Sequence, residues 1–135
     1  MSGNGTNPER GRVVVVTDGT AGVGRASVRA FAQNGDDVAV LARGRDGLEA
    51  VGREVEAMGR RALTISADVA DYAQVEEAAH RVERELGPID VWVNNAMTTI
   101  FAPLWEISPE EYERPTRVTY PGSVWGTMVA LQRFR

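Results

Sequence analysis

The sequence of 135 residues contains no lysine and no cysteine, and its basic side chains are 15 arginines. Without lysine, these residues offer no Schiff base, no Walker-type phosphate lysine and no catalytic lysine. Without cysteine, they form no disulfide and no thiolate metal site. The arginines cluster no more densely than pairs such as Arg60 and Arg61, and the formal net charge is -4. This balance argues against a nucleic-acid or membrane-surface partner.

Long hydrophobic runs are also missing. The apolar run at residues 13–16 is far shorter than the roughly 18 to 20 residues that span a bilayer. Residues 1–11 are polar and lack the hydrophobic region of a secretory signal, so they predict a flexible tail. The expected location is therefore the cytoplasm. The chain is 43% hydrophobic and 25% charged, which is typical of one globular domain, and we place that domain at residues 12–135.

From residue 13 onward, short apolar runs alternate with longer segments of helical period, the pattern of a parallel α/β sheet. The predicted strands are residues 12–17, 37–42, 62–66 and 89–94. The helices between them begin near Gly22, before Leu48 and at Asp71. Right-handed crossovers give the strand order 3-2-1-4, with helices on both faces. The predicted fold is a Rossmann-type parallel sheet that is incomplete and covers about the first half of the domain.

The last third of the chain predicts an interrupted helix. Ser108 and Pro109 form a helix start, because serine caps and proline fits the first turn, and Glu111 lies at capping-box spacing. Pro115 and Pro121 then fall inside the helical pattern. An interior proline removes a backbone hydrogen bond and costs about 3 kcal/mol. We therefore expect two short, kinked pieces.

A glycine-rich turn containing Gly19, Gly22 and Gly24 joins the first strand to the first helix. Backbone N–H groups at a helix start point outward with the positive end of the helix dipole, and glycine lets a phosphate approach closely. Strand, turn and helix together predict a nucleotide-binding loop.

This loop resembles that of the short-chain dehydrogenase/reductase family, which reads Thr-Gly-x-x-x-Gly-x-Gly, and Thr17, Gly22 and Gly24 match it. Further matches follow in the family's order at residues 68–69, 87–90 and 94–96. The resemblance extends from residue 12 to about residue 133. It implies a dinucleotide site formed by Thr17, Gly19, Gly22, Val23, Gly24, Arg43, Asp68, Val69, Asn94 and Ala96.

The end of the second strand bears on the choice of coenzyme. Relatives that bind NAD carry a carboxylate there for the ribose hydroxyls, and Ala42 cannot accept those hydrogen bonds. Arg43, with Arg45 or Arg25 nearby, supplies a planar fork suited to a 2'-phosphate. The sequence therefore favours NADP(H) over NAD, although a solvated surface arginine is the alternative interpretation.

Three positions depart from the family pattern. Asp18 stands at the first glycine, so either the aspartate takes the left-handed backbone itself or Gly19 absorbs the turn. Its carboxylate is expected to weaken diphosphate binding unless it points away. Met97 replaces a glycine and either lines a substrate pocket or crowds the nicotinamide. Thr119 occupies the place of the family's structural and catalytic asparagine.

The family's catalytic tyrosine and lysine pair is absent. Tyr72, Tyr112 and Tyr120 have no lysine four residues later. A tyrosine whose pKa is about 10, with no cation beside it, is a poor proton relay at neutral pH. The resemblance implies an NADP(H)-dependent oxidoreductase of carbonyl or alcohol substrates, here in a truncated form that also lacks the catalytic serine and has no turnover of its own.

Two alternatives are a non-enzymatic nucleotide-binding module and a half-subunit completed by another chain. An incomplete sheet leaves the fourth strand exposed, which predicts self-association through that strand. His80 is the only histidine, lies within the third predicted helix, and is expected on its solvated face rather than at a metal.

Overall fold

The computed structural model describes residues 11–95, 106 and 108–134, and the side chains of all of these except 112–120. The strands of this part of the chain are β1 (Val13–Thr17), β2 (Asp37–Ala42), β3 (Ala62–Ser66) and β4 (Val91–Val93). Its helices are α1 (Gly22–Gln33), α2 (Arg45–Ala57), α3 (Tyr72–Glu85) and α4 (Pro109–Arg133). None of these helices combines the length and apolar character that a bilayer crossing requires. Residues 1–10 of the predicted tail lie outside the described residues.

The strands form one parallel sheet of order β3-β2-β1-β4, which confirms the predicted topology. Val15 at the centre of β1 lies opposite Ala39 of β2 on one side and Trp92 of β4 on the other. Every residue of β1 and β2 is buried. Strands covered on both faces need apolar side chains at nearly every position, which explains why these segments are continuous apolar runs. β4 is shorter than the predicted strand at 89–94.

Alternate residues of β1 and β2 supply two hydrophobic cores, one on each face of the sheet. The core that faces α3 and α4 contains Val15, Val75 and Val129. The core that faces α1 and α2 contains Val16 and Val28. Burying each of these valines contributes about 1.5 kcal/mol or more, so the period-two alternation of β1 stabilises both layers.

The predicted starts of α1 and α3 are confirmed. α1 is followed within two residues by Gly35, whose φ of +94° is the left-handed conformation that ends a helix. The Asp71 side chain accepts hydrogen bonds from the N–H groups of Ala73 and Gln74 and so caps α3. The Gln74 side-chain oxygen accepts from the Asp68 N–H at 2.8 Å, which ties the end of β3 to this cap.

α4 is one helix, so the predicted interruption at Pro115 and Pro121 is wrong. Its predicted start is confirmed, because Ser108 Oγ accepts a hydrogen bond from the Glu111 N–H at 3.1 Å. Each proline costs about 3 kcal/mol of local helix stability. That cost is offset by packing, since α4 contacts α3 and β4 and Val129 is fully buried. Tertiary contacts therefore outweigh the local signal.

Two glycines allow α4 to lie close to the sheet. A Cβ on Gly122 would lie 3.0 Å from the Val69 side chain, and a Cβ on Gly126 would lie 2.8 Å from Trp92 Nε1. A larger residue would collide at position 126 and would displace the Val69 side chain at position 122. This close approach supplies part of the packing that keeps α4 continuous.

Buried carboxylates close the amino end of the sheet, here called the amino edge. Asp37 is 1% exposed and accepts hydrogen bonds of 3.0–3.1 Å from Arg60 and Arg61. Asp36 accepts two hydrogen bonds of 3.0 Å from Arg12, which lowers the pKa of Asp36. Arg61 also donates to a backbone carbonyl just beyond α3 at 2.9 Å. Charge-assisted hydrogen bonds thus join β1, β2, β3 and α3 at this edge.

Candidate functional site

The opposite end of the sheet, here called the carboxyl edge, brings together the ends of β1, β2 and β4 and the start of α1. Chain order reverses between β1 and β4, because β2 lies on the other side of β1. In open parallel sheets such a switch point opens a crevice in which ligands bind. The turn that carries the predicted residues Thr17, Gly19, Gly22 and Gly24 lies at this point.

The first turn of α1 presents backbone N–H groups that no side chain caps. Its N-cap is Ala21, which makes no side-chain capping bond, and the first helical hydrogen bond runs from the Arg25 N–H to the Ala21 carbonyl at 3.2 Å. The N–H groups of Gly22, Val23 and Gly24 precede that bond and point out of the helix end. Together with the positive end of the helix dipole, they suit an anionic group.

The turn before α1 is shaped by Asp18 and Gly22, each with a φ of +56°. Asp18 therefore takes the left-handed conformation itself, and Gly19 does not have a positive φ. Gly19 is needed for packing instead, because a Cβ there would lie 2.8 Å from Val28 and 2.9 Å from Val40. A Cβ on Gly22 would meet open space, so packing does not require a glycine there. The positive φ of Gly22 is what favours glycine at this position.

Asn95 connects the turn to β4, and the predicted set of site residues does not include it. Its N–H donates to Thr17 Oγ1 at 2.9 Å, and its Nδ2 donates to the Asp18 carbonyl at 3.2 Å. The Thr17 hydroxyl is buried and donates to the Val93 carbonyl at 3.4 Å. A Cβ on Gly24 would collide with the Asn95 amide and the Asp18 carbonyl. The signal that could have identified Asn95 is its place in the Asn-Asn-Ala motif beside the predicted Asn94.

Asn94 faces α4. Its Oδ1 accepts from Trp92 Nε1 at 2.9 Å, and its Nδ2 donates to Thr127 Oγ1 at 3.0 Å. A Cβ on Gly126 would collide with the same amide. The structure therefore separates the two neighbouring asparagines: Asn94 contacts the helix α4, and Asn95 contacts the glycine turn.

Arg43 lies at the end of β2, immediately before α2. Its side chain and that of Arg45 are exposed, whereas Ala42 is buried. The Arg43 carbonyl accepts a hydrogen bond from Ser66 Oγ at 3.2 Å, which fixes the backbone here to β3. No side chain caps α2 at Gly44, and Asp46 lies in its first turn. Two exposed guanidinium groups thus flank the positive end of a second helix.

Arg25, which the sequence also offers as a phosphate ligand, is held elsewhere. It forms an ion pair with Glu54 of α2, and Arg29 binds the same carboxylate at 2.9 Å. Hydrogen bonds from Arg29 and Arg25 lower the pKa of Glu54 to about 2. This ion-pair cluster joins α1 to α2 and leaves Arg43 and Arg45 as the exposed arginines beside β2.

Asp68 and Val69 lie just beyond β3. Asp68 is half-buried, and its side chain accepts from the Ala70 N–H at 3.0 Å. Val69 is buried against Gly122 of α4. The remaining predicted site residue, Ala96, and Met97 lie outside the described residues, as does the side chain of Thr119.

The described residues offer no metal site, since no three histidine, aspartate or glutamate side chains among them come close enough to share an ion. His80 lies on the exposed side of α3, with its Nε2 atom 3.1 Å from Glu76 Oε1. The groups available at the carboxyl edge are therefore backbone amides, the Thr17 hydroxyl, asparagine amides, exposed arginines and the carboxylates of Asp18 and Asp68.

A family model described as short chain dehydrogenase matches residues 12–135. A short chain dehydrogenase of Pseudocercospora fijiensis is 35% identical over 104 residues. A solved blue fluorescent protein from a metagenomic library, in complex with NADPH, is 37% identical with a TM-score of 0.82. An alcohol dehydrogenase from the archaeon Thermococcus sibiricus, complexed with 5-hydroxy-NADP, is 31% identical with a TM-score of 0.84.

These matches cover most of this chain but only part of each relative. The fungal relative aligns with 77% of this chain and 33% of its own length. The two solved structures align with 91% of this chain and with 51% and 53% of theirs. The chain thus spans about half the length of the solved structures that it matches.

Proposed function

The chain belongs to the short-chain dehydrogenase family, and we propose that it is the coenzyme-binding part of an oxidoreductase that uses NADP(H) on a carbonyl or alcohol substrate. One observation carries the proposal: α1 begins at the switch point of the sheet, and its N-cap Ala21 makes no side-chain capping bond. The two solved structures, which hold NADPH and 5-hydroxy-NADP on the same fold, support it.

In this proposal the diphosphate binds the N–H groups of Gly22, Val23 and Gly24. The adenine lies beside Asp68 and Val69 at the end of β3, and the exposed Arg43 binds the 2'-phosphate. Asn94 follows β4 on the far side of the same crevice. Thr17 and Gly19, whose side-chain positions are enclosed by protein atoms, shape the turn. When bound, the coenzyme supplies hydride chemistry, and the described residues bind and orient it.

The preference for NADP(H) rests on Arg43. We expect the 135-residue chain to bind NADPH at least tenfold more tightly than NADH, because a bidentate arginine–phosphate contact is stronger than a neutral hydrogen bond. Arg43→Gln should remove this difference and leave NADH affinity unchanged, as measured by calorimetric titration. The matched control is Arg53→Gln, an exposed arginine more than two turns along α2. A preference that survives Arg43→Gln would contradict the assignment.

Asp18 is expected to oppose binding. A carboxylate about 6 Å from a diphosphate, at an effective dielectric near 20, repels each unit charge by on the order of 1 to 3 kcal/mol. Asp18→Gly should therefore raise NADPH affinity roughly tenfold or more, and more at low salt than at high salt. Equal affinities of the two proteins would remove the argument.

We further propose that these 135 residues do not turn over substrate by themselves. They contain no Tyr-x-x-x-Lys, the pair in which a lysine activates the tyrosine for proton transfer. The purified chain should bind NADPH saturably and leave it unoxidised in the presence of simple ketones and aldehydes. NADPH oxidation at an ordinary enzymatic rate would contradict this part of the proposal.

A second candidate function is that of a half-subunit. The observation that favours it is β4, whose three residues are only half-buried and which has no further strand beside it among the described residues. Such an edge pairs readily with another chain. Coexpression with a polypeptide that carries Ser and Tyr-x-x-x-Lys should then give a stoichiometric complex that oxidises NADPH, whereas the chain alone self-associates in light scattering. Saturable binding with no turnover in either case would favour a nucleotide-binding module.

A further inference from the structure

Asp18 is the only non-glycine residue among the described residues with a left-handed backbone. Its φ of +56° is unfavourable for any residue with a Cβ, although aspartate tolerates it better than most. The position lies between β1 and the N–H groups of α1. A residue in this conformation persists only where surrounding contacts hold it.

Among the contacts that hold Asp18 are two hydrogen bonds, one on each side of its Cα. Its N–H donates to the Leu41 carbonyl at 2.6 Å, which continues the β1–β2 ladder by one residue. Its carbonyl accepts from Asn95 Nδ2 at 3.2 Å. The N–H belongs to the peptide before the Cα, and the carbonyl belongs to the peptide after it. Because φ and ψ describe the rotation between these two peptides, bonding both of them fixes the conformation.

Asn95 is itself fixed in place. Its N–H is bonded to the hydroxyl of Thr17, which is 2% exposed and also bonded to β4. Its amide lies against Gly24, where a Cβ would collide with it. The amide is therefore enclosed between the turn and the first helical residues, so that its position sets the distance between the Asp18 carbonyl and the N–H groups of α1.

We propose that Asn95 is a positioning residue: its side-chain amide, 77 residues away in sequence, holds Asp18 left-handed and thereby sets the shape of the turn that presents the phosphate-binding N–H groups. A glycine at position 18 adopts this conformation without help. An aspartate there depends on the Asn95 bond. The consequence for coenzyme binding rests on the proposed function, whereas the consequence for the shape of the turn does not.

A double-mutant cycle of Asn95→Ala and Asp18→Gly tests the dependence. In the wild-type background, Asn95→Ala should weaken NADPH binding about tenfold, since the turn loses its fixed shape. In the D18G background, the same substitution should weaken binding less than about threefold. Removal of the Asp18 charge raises the affinity of both proteins in the D18G background equally. It therefore does not affect the comparison of the two losses caused by Asn95→Ala. Equal losses in both backgrounds would overturn the proposal.

The same four proteins are compared without coenzyme, by urea unfolding and by hydrogen exchange of the Asp18 and Arg25 amides, both of which are hydrogen-bonded. Coupling between the two substitutions in unfolding, together with faster exchange in Asn95→Ala alone, supports the positioning role even if no variant binds NADPH. If none of the four proteins binds NADPH, only the proposed function is rejected. The absence of coupling in unfolding and in exchange would reject the positioning role even if NADPH binds. Glu76→Gln, at the contact between α3 and α4, is the control for general destabilisation and should leave NADPH affinity unchanged.

Discussion

The two ends of the sheet are built with different chemistry. At the amino edge, the carboxylates of Asp36 and Asp37 are buried and bound by three arginines. At the carboxyl edge, the described contacts around Thr17 and Asn95 are neutral hydrogen bonds between hydroxyl, amide and backbone groups. The arginines beside that edge are exposed. We propose that the amino edge stabilises the fold, whereas the exposed Arg43 and Arg45 at the carboxyl edge serve a ligand.

This difference has an energetic basis. A charge-assisted hydrogen bond is about twice as strong as a neutral one, and removal of one partner from a buried pair costs about 3 to 5 kcal/mol. Neutral hydrogen bonds contribute about 1 kcal/mol each. Substitutions at the amino edge should therefore mainly lower the free energy of unfolding. Substitutions at the carboxyl edge should mainly change the affinity for NADPH.

The largest expected effect is at Asp37. Asp37→Asn removes the negative charge that faces Arg60 and Arg61 at four hydrogen bonds, and we expect a loss of about 3 kcal/mol in the free energy of unfolding. NADPH affinity should change less than about twofold, because the site is at the opposite edge. Urea denaturation and calorimetric titration measure the two quantities. The exposed Asp46→Asn serves as the stability control, and a large loss of affinity in Asp37→Asn would break the comparison.

A substitution at Gly24 should lower stability less than Asp37→Asn does and should weaken NADPH binding more. Gly24→Ala places a Cβ against the Asn95 amide and the Asp18 carbonyl, so the turn must move. We expect a loss of on the order of 1 kcal/mol in stability and of tenfold or more in NADPH affinity. Gly44→Ala is the matched control, since its Cβ position is open and its φ is not left-handed. Normal NADPH binding by Gly24→Ala would contradict the account.

The smallest expected effect concerns pH and the Glu54 cluster between α1 and α2. Arg29 and Arg25 lower the pKa of Glu54 from 4.5 to about 2. A carboxylate with a lowered folded-state pKa adds stability above its unfolded-state pKa and loses it as the pH falls. Wild-type protein should therefore lose part of its stability between about pH 4.5 and pH 2, with a shallower loss in Glu54→Gln than in the exposed control Glu56→Gln. Parallel pH profiles of the two variants would show that the cluster contributes nothing.

Much of the fold could be predicted because its signals are local. The apolar run of β1, the cap at Asp71 and the glycine at position 35 each act within a few residues of their own position. The strand order then follows from the handedness of crossovers. The continuity of α4 could not be predicted, because the penalty of Pro121 is visible in the sequence, whereas the burial of Val129 that offsets it depends on α3 and the sheet.

The local structure around the candidate site could be predicted to the same extent. The turn between β1 and α1 and the arginine after β2 follow from adjacent residues. The sequence offers Arg25 as a phosphate ligand because its partner Glu54 lies 29 residues away, on another helix. Asn95 was missed for a related reason: its bond to Asp18 is a contact between the ends of two strands, which only the folded sheet brings together.

The central claim is that the carboxyl edge binds the dinucleotide. The most direct measurement is a titration of the isotopically labelled 135-residue chain with NADPH, followed by amide NMR. We expect saturable shifts at Gly19, Gly22, Gly24 and Arg43, with Arg60 and Arg61 unmoved. Shifts centred on the amino edge, or no saturable shift at all, would contradict the claim.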